Sequence, residues 1–86
     1  MFYVYVYRDP RPRKDLQPVY VGKGCGDRAW FHWKKGRTGN KPFNDWLVHL
    51  RSTKLTPVIE IVEEFKDEID AFAKECELIL FYGRRN

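Results

Sequence analysis

Arg28 and His32 stand four residues apart, a spacing that puts both on one face of a helix. Just ahead runs Gly22-Lys23-Gly24-Cys25-Gly26, which reads as a glycine turn bringing Tyr20, Gly22 and Lys23 close to Arg28. A strand end, a helix N-terminus and a guanidinium together can hold a phosphate group. The plainer alternative is a surface arginine, with His32 packed beside Trp33. The turn lacks the spacing of a nucleotide-binding P-loop, so its glycines are expected to permit close backbone approach instead.

Glu75 is the second chemical candidate. At helical spacing it falls among Phe72, Leu78, Ile79 and Tyr82, so its carboxylate is hemmed in by apolar side chains. A carboxylate taken out of water needs a cation or a metal ion beside it. Alternatively it reaches water at the rim of the core, or pairs with Arg28. Glu77, by contrast, points to the polar side with Asp70, Ala73 and Lys74. The third group is the phenols. Tyr3, Tyr5 and Tyr7 share one face of a strand, with Phe2, Val4 and Val6 on the other. Strand tyrosines ordinarily pack across strands, but a phenol beside cations has its charged form stabilised and gains strength as a base.

These residues need elements to position them. Phe2 to Tyr7 alternate Phe/Val with Tyr, which predicts a strand. Asp9-Pro10-Arg11-Pro12 ends it, and residues 9–17 form a polar, basic connection. Pro18 to Val21 reads as a second strand, antiparallel to the first because no crossover helix separates them. Asp27 is placed as the cap of a helix running to about Lys35, and Gly36 to Gly39 break it. Asn40 caps the next helix, whose Phe43, Trp46, Leu47 and Leu50 make a core-facing stripe. Thr56-Pro57 ends that helix, and Val58 to Phe65 reads as a third strand. Asp67 caps a last helix to about Tyr82, stopped by Gly83. Its buried stripe is expected at Ile69, Phe72, Cys76, Ile79 and Leu80. The order is ββααβα: an α/β (α+β) domain with a small three-stranded antiparallel sheet flanked by three helices.

With 86 residues the chain makes one domain with one modest core. No signal peptide or membrane span is expected, since the apolar stretches are only a few residues long. Two cysteines, Cys25 and Cys76, are too few for a disulfide scaffold and suit a cytoplasmic protein. Together with His32 and His49 they show no zinc-type pair spacing. Charge is lopsided: residues 1–54 hold twelve Lys/Arg against four Asp/Glu, whereas residues 55–86 hold four against eight. A basic half attracts a polyanion, or else is merely a solvated face.

Taken together, these pieces resemble the GIY-YIG nuclease family over almost the whole chain, and most closely its phage-, bacterial- and LEM-domain-associated branch. Tyr3-Val4-Tyr5 and Tyr20-Val21-Gly22 stand where the two name-giving tripeptides do, with Tyr3 in place of the first glycine. Lys23 follows the second tripeptide. Arg28, six after Gly22, matches the family's catalytic arginine, and His32 the position one turn on. In Glu75-Cys76-Glu77-Leu78-Ile79, Glu75 precedes an apolar pair by three, as the family's glutamate does. The family usually places an asparagine after this helix; Asn86, the last residue, is the one candidate, which suggests a chain truncated at its C-terminus.

The resemblance implies hydrolysis of a DNA phosphodiester with one Mg²⁺ or Mn²⁺ ion held by Glu75. It implies that Arg28 holds a non-bridging phosphate oxygen and that Tyr5 orients or deprotonates the attacking water. Tyr20 and His32 would position the same network, and Lys23 would lower a phenol's pKa or touch phosphate. Gly22, Lys23, Lys34, Lys35 and Arg37 are the expected substrate contacts. A single site cuts one strand, so a double-strand cut calls for a transient dimer on DNA or a second visit. Two other functions fit the composition: a non-catalytic nucleic-acid binder using the basic face and strand aromatics, and a protein-interaction module built on Trp30, Phe31 and Trp33.

Overall fold

The computed structural model describes residues 1–35 and 40–83. Arg37 and Asn86 therefore lie outside the described residues. Three strands, β1 (Phe2–Arg8), β2 (Pro18–Cys25) and β3 (Val58–Phe65), form one sheet in the order β2-β1-β3. Both pairings are antiparallel. Three helices complete the fold: α1 (Arg28–Lys35), α2 (Lys41–Ser52) and α3 (Glu68–Gly83). The order ββααβα and the α/β class are as expected. One 3₁₀ turn, Pro12–Lys14, lies inside the polar connection between β1 and β2.

β1 is central because both its faces are apolar. Tyr3, Tyr5 and Tyr7 pack with Ala29 of α1 and with Phe43 and Leu47 of α2. On the opposite face Val4 and Val6 are fully buried. Directly opposed residues share a face, so Lys23, opposite Val4, belongs to that second face. α3 lies across it: Lys23 Nζ donates to Glu68 at 2.7 Å, and Arg8 Nη2 donates to the Tyr82 hydroxyl at 3.2 Å. Asn40 caps α2 as expected, its side-chain oxygen accepting from the Phe43 amide at 3.0 Å. Among the described residues, no helix is long and apolar enough to cross a membrane.

Two expectations are corrected. The Gly22–Gly26 stretch is not a turn. β2 continues through Cys25, with Gly22 opposite Tyr5 and Gly24 opposite Tyr3. The ladder to β1 keeps its hydrogen bonds through both glycines, and the left-handed backbone needed to leave the strand appears at Gly26 (φ 60°). The second correction concerns α3. The stripe read as buried faces outward instead, with Ile69 80%, Phe72 56%, Ile79 49% and Leu80 60% exposed and Cys76 exposed too. Ala71, Glu75, Leu78 and Tyr82 form the inward side. The sheet face under α3 is rimmed by the cations Arg8 and Lys23, which need polar partners. Turning α3 this way sets Ala71 and Leu78 on the valines while Glu68 and Tyr82 meet those cations.

β3 carries a bulge. Val4 pairs with Glu63 and Tyr5 with Ile61, so Val62 has no partner on β1. The extra residue changes the phase of the strand. Ile59 and Ile61 reach the tyrosine core, while Phe65 comes to lie opposite Phe2.

The β1–β2 connection is fastened by one carboxylate. Asp9, 3% exposed, accepts from the Arg11 backbone amide, the Arg11 guanidinium and Trp46 Nε1 of α2. Arg11 above all, then Trp46, holds this carboxyl far below the usual carboxylate range. A depressed folded-state pKa gives stability that is complete above the unfolded value and is lost as pH falls below it. Asp9→Asn should therefore lower stability by about 1–3 kcal/mol at neutral pH. It should also flatten the loss of stability below about pH 4, as read from urea melts across pH. A variant with the wild-type acid profile would show that Asp9 does not anchor the loop.

Candidate active site

β2 is an edge strand, and the candidate residues gather around it from both faces of the sheet. On the tyrosine face, the Tyr3 hydroxyl accepts from the Ala29 amide at 2.9 Å and donates to the Gly26 carbonyl at 2.7 Å. The Tyr7 hydroxyl donates to the Ala29 carbonyl at 2.5 Å. Three bonds from two phenols thus fix the first turn of α1 on the sheet. Arg51 of α2 adds a clamp from the other end, its guanidinium 4.1 Å over the Trp33 ring and donating to the Trp33 carbonyl. With α1 held so, His32 turns inward and its Nε2 lies 3.1 Å from the Tyr5 hydroxyl. Tyr20 stands beside both: its ring stacks on Phe43 at 4.2 Å and meets His32 edge-on at 5.4 Å.

The two glycines of β2 make this packing possible. A Cβ at Gly22 would run into the ring and hydroxyl of Tyr5, and one at Gly24 into the stem of Arg28. Close backbone approach, the expected purpose of these glycines, is what they provide. Arg28 forms no hydrogen bond or ion pair among the described residues; its guanidinium rests 5.6 Å over the Phe31 ring. Lys23 and Arg28 line one open groove with Gly24, Phe31 and Glu68. A second groove at the same edge is lined by Tyr20, Val21, Asn40, Ile79 and Tyr82.

Glu75 comes from the other face, so β2 stands between it and the Tyr5, Arg28 and His32 with which the resemblance groups it. It is half-buried on the inward side of α3 and has no hydrogen bond or ion pair among the described residues, so the possible pairing with Arg28 is not formed. Burial raises its pKa, with Lys23 working against that rise. Its charge reaches round β2 to Tyr20: burial, then Glu75, pushes the Tyr20 phenol up, while Arg28 pulls it back. Tyr20 thus feels Glu75 and Arg28 in opposite directions. Among the described residues no cluster of three metal-ligating side chains exists. A lone, desolvated carboxylate without a partner suits Mg²⁺ or Mn²⁺, ions that keep waters and take one or two protein carboxylates.

The phenols do not behave as the cation argument predicts. Tyr5 is 1% exposed, and burial, followed by the neighbouring phenols of Tyr20 and Tyr7, drives its pKa well above that of a free tyrosine despite Arg28. Desolvation outweighs the single cation. His32, 8% exposed, moves the opposite way: burial and then Arg28 lower its pKa, so the imidazole is neutral at pH 7. Tyr5 and His32 therefore share a neutral hydrogen bond whose direction follows the imidazole tautomer.

Of the expected substrate contacts, Gly22 is covered by Tyr5 and Lys23 is bonded to Glu68. Lys34 lies 3.9 Å from Asp27, and Lys35 sits 5.7 Å over Phe31. Sequence reasoning missed Tyr3, Tyr7 and Phe43 as positioning residues. The signal for the tyrosines was their i, i+2 repeat, which tells which face they share but not what their hydroxyls bond; that for Phe43 was the core-facing stripe of α2, which does not tell that it stacks on Tyr20. Compared with protein-family models, curated proteins and solved structures, the chain finds no match.

Gly22→Ala should displace the Tyr5 ring and break its contact with His32, lowering stability by about 1–3 kcal/mol. Loss of the Tyr5–His32 coupling would be read from the imidazole NMR titration moving toward the ordinary histidine value. An unchanged melting curve and unchanged titration would mean that the strand relaxes at no cost.

Proposed function

We propose that this chain is a divalent-metal-dependent endonuclease that hydrolyses DNA phosphodiester bonds at a single site astride β2, and that it works in the cytoplasm. The observation that supports the reading is a pair of opposite charges, Arg28 and half-buried Glu75, that form no hydrogen bond or ion pair among the described residues and both act on Tyr20. Glu75 would hold the Mg²⁺ or Mn²⁺ ion, which when bound supplies positive charge to the phosphate and to the departing 3′-oxygen. Arg28, in no ion pair among the described residues and lining an open groove with Lys23, Asp27 and Glu68, would bind a non-bridging phosphate oxygen and offset the charge that builds in the transition state. Tyr20, lining the neighbouring groove at the same edge and protonated, would hold the attacking water by its hydroxyl. His32, kept neutral by burial, is the group on this face able to accept that water's proton at neutral pH. Tyr5, too deeply buried to touch substrate, positions His32. Water would add to phosphorus, its proton passing to His32, as the P–O3′ bond breaks and the departing 3′-oxygen takes a proton from solvent, leaving a 5′-phosphate and a 3′-hydroxyl. Lys23, Lys34, Lys35 and Arg37 supply attraction to the DNA backbone, with Asn86 as a further candidate at the site.

The competing reading, a nucleic-acid binder without catalysis, loses its strand aromatics, since Tyr3, Tyr5 and Tyr7 are covered by helices. Its remaining support is Phe31, 42% exposed and flanked by Arg28 and Lys35, a surface on which a base could stack.

Plasmid nicking separates the two. Mg²⁺- or Mn²⁺-dependent nicking by the wild type, abolished in Glu75→Gln and reduced on the order of 10²-fold in Arg28→Ala, supports the nuclease. DNA shifted in a gel but uncut with either metal refutes it. The pH profile tests the roles. Glu75 moves up from 4.5 and His32 down from 6.5, so activity should climb between those values and then stay level to about pH 9. A rate that keeps rising tenfold per pH unit through pH 8–9 would make a tyrosinate the base and remove His32 from that role.

A further inference from the structure

α3 has two apolar sides, and only one is used. Ala71 and Leu78 face the sheet, while Ile69, Phe72, Cys76, Ile79 and Leu80 face solvent. At these exposures the outer stripe offers apolar area on the order of 500 Å², at the upper end of what a monomer ordinarily leaves uncovered.

We propose that this outer face of α3 is a self-association surface, on which a second copy of the chain docks its own α3 antiparallel through a two-fold axis. The spacing carries the argument. Positions 69, 72, 76 and 79 are separated by three, four and three residues, the 3.5-residue period of a seam between two helices. That spacing reads identically in both directions about Lys74. Under a two-fold axis there, Ile69 of one copy lies level with Ile79 of the other, and Phe72 with Cys76. An isologous contact requires such self-complementarity.

The acidic residues do not oppose this contact: Glu68 is bonded to Lys23, Glu77 to Lys74, and Glu75 lies on the inward side, so none of the three stands in the stripe. Antiparallel helix dipoles also oppose one another favourably. Two stripes together bury about 1,000 Å², the lower edge of specific interfaces. The dimer is therefore weak and concentration-dependent. Ile79 also lines the groove beside Tyr20, so the seam borders the candidate site and couples two such sites in one particle. The association itself stands apart from the nuclease reading, because its test contains no DNA.

Sedimentation of the full chain under reducing conditions, over a concentration series from about 1 μM to 1 mM, should show a monomer–dimer equilibrium. Phe72→Glu, at an exposed position, should raise the dissociation constant at least about tenfold with an unchanged circular-dichroism melt. Ile69→Lys, at the far end of the stripe, should do the same, so the result does not hang on one variant folding. The register is tested by Phe72→Cys in a Cys25→Ser background. Mild oxidation should link Cys76 of one copy to the new thiol of the other, a covalent dimer that reductant reverses. A monomer at every concentration, or a dimer indifferent to both surface variants, overturns the proposal. A reversible dimer that never crosslinks overturns the antiparallel register.

Discussion

Everything near β2 depends on the hydroxyls of one strand. Tyr3, Tyr5 and Tyr7 are buried, and a buried hydroxyl without a partner costs more than the bond it could make. Each finds its partner on α1 or at its entry: Gly26 and Ala29 for Tyr3, His32 for Tyr5, Ala29 for Tyr7. These bonds set the height and rotation of an eight-residue helix that is too short to hold itself in water. Rings and hydroxyls divide the labour. The rings supply apolar area to the core, and the hydroxyls decide where α1 sits. The positions of Arg28 and His32 follow from that choice.

Burial that secures α1 also governs the chemistry. The same low-polarity surroundings raise Tyr5, Tyr20 and Glu75 and lower His32, so each group is pushed toward its neutral form. One arginine at the groove cannot reverse this, because desolvation acts on every group at once while Arg28 faces only some of them. The phenols therefore serve as hydrogen-bonding scaffolding. The two charges facing the edge, Arg28 and Glu75, arrive from opposite sides of the sheet and do not neutralise each other.

Much of the fold was legible in the residues. Alternating Tyr/Val in β1, Asn40 ahead of α2 and the Phe43–Leu47–Leu50 stripe each state their structure locally. So did the face shared by Arg28 and His32, since helical spacing alone decides it. The α3 stripe was misread because the helix is amphipathic twice over. Periodicity finds two apolar stripes there, but only the partner surface, rimmed by Arg8 and Lys23, decides which turns inward. Phenol acidity was misjudged for a related reason: a neighbouring cation is visible in the sequence, whereas depth of burial is a property of the assembled core. The bulge at Val62 leaves no mark in a run of β-branched and acidic residues, because strand phase is set by the neighbouring strand.

The C-terminal half of β2 carries two glycines, Gly22 and Gly24, and the strand is paired along one edge only. Glycine loses the most backbone freedom on ordering, and an edge strand has half the ladder of a central one. Its C-terminal half is therefore held largely by its surroundings: Lys23 by Glu68, and the Gly26 carbonyl just beyond it by the Tyr3 hydroxyl. Those two contacts tie the end of the strand to α3 on one face and to the entry of α1 on the other, beside the groove lined by Arg28.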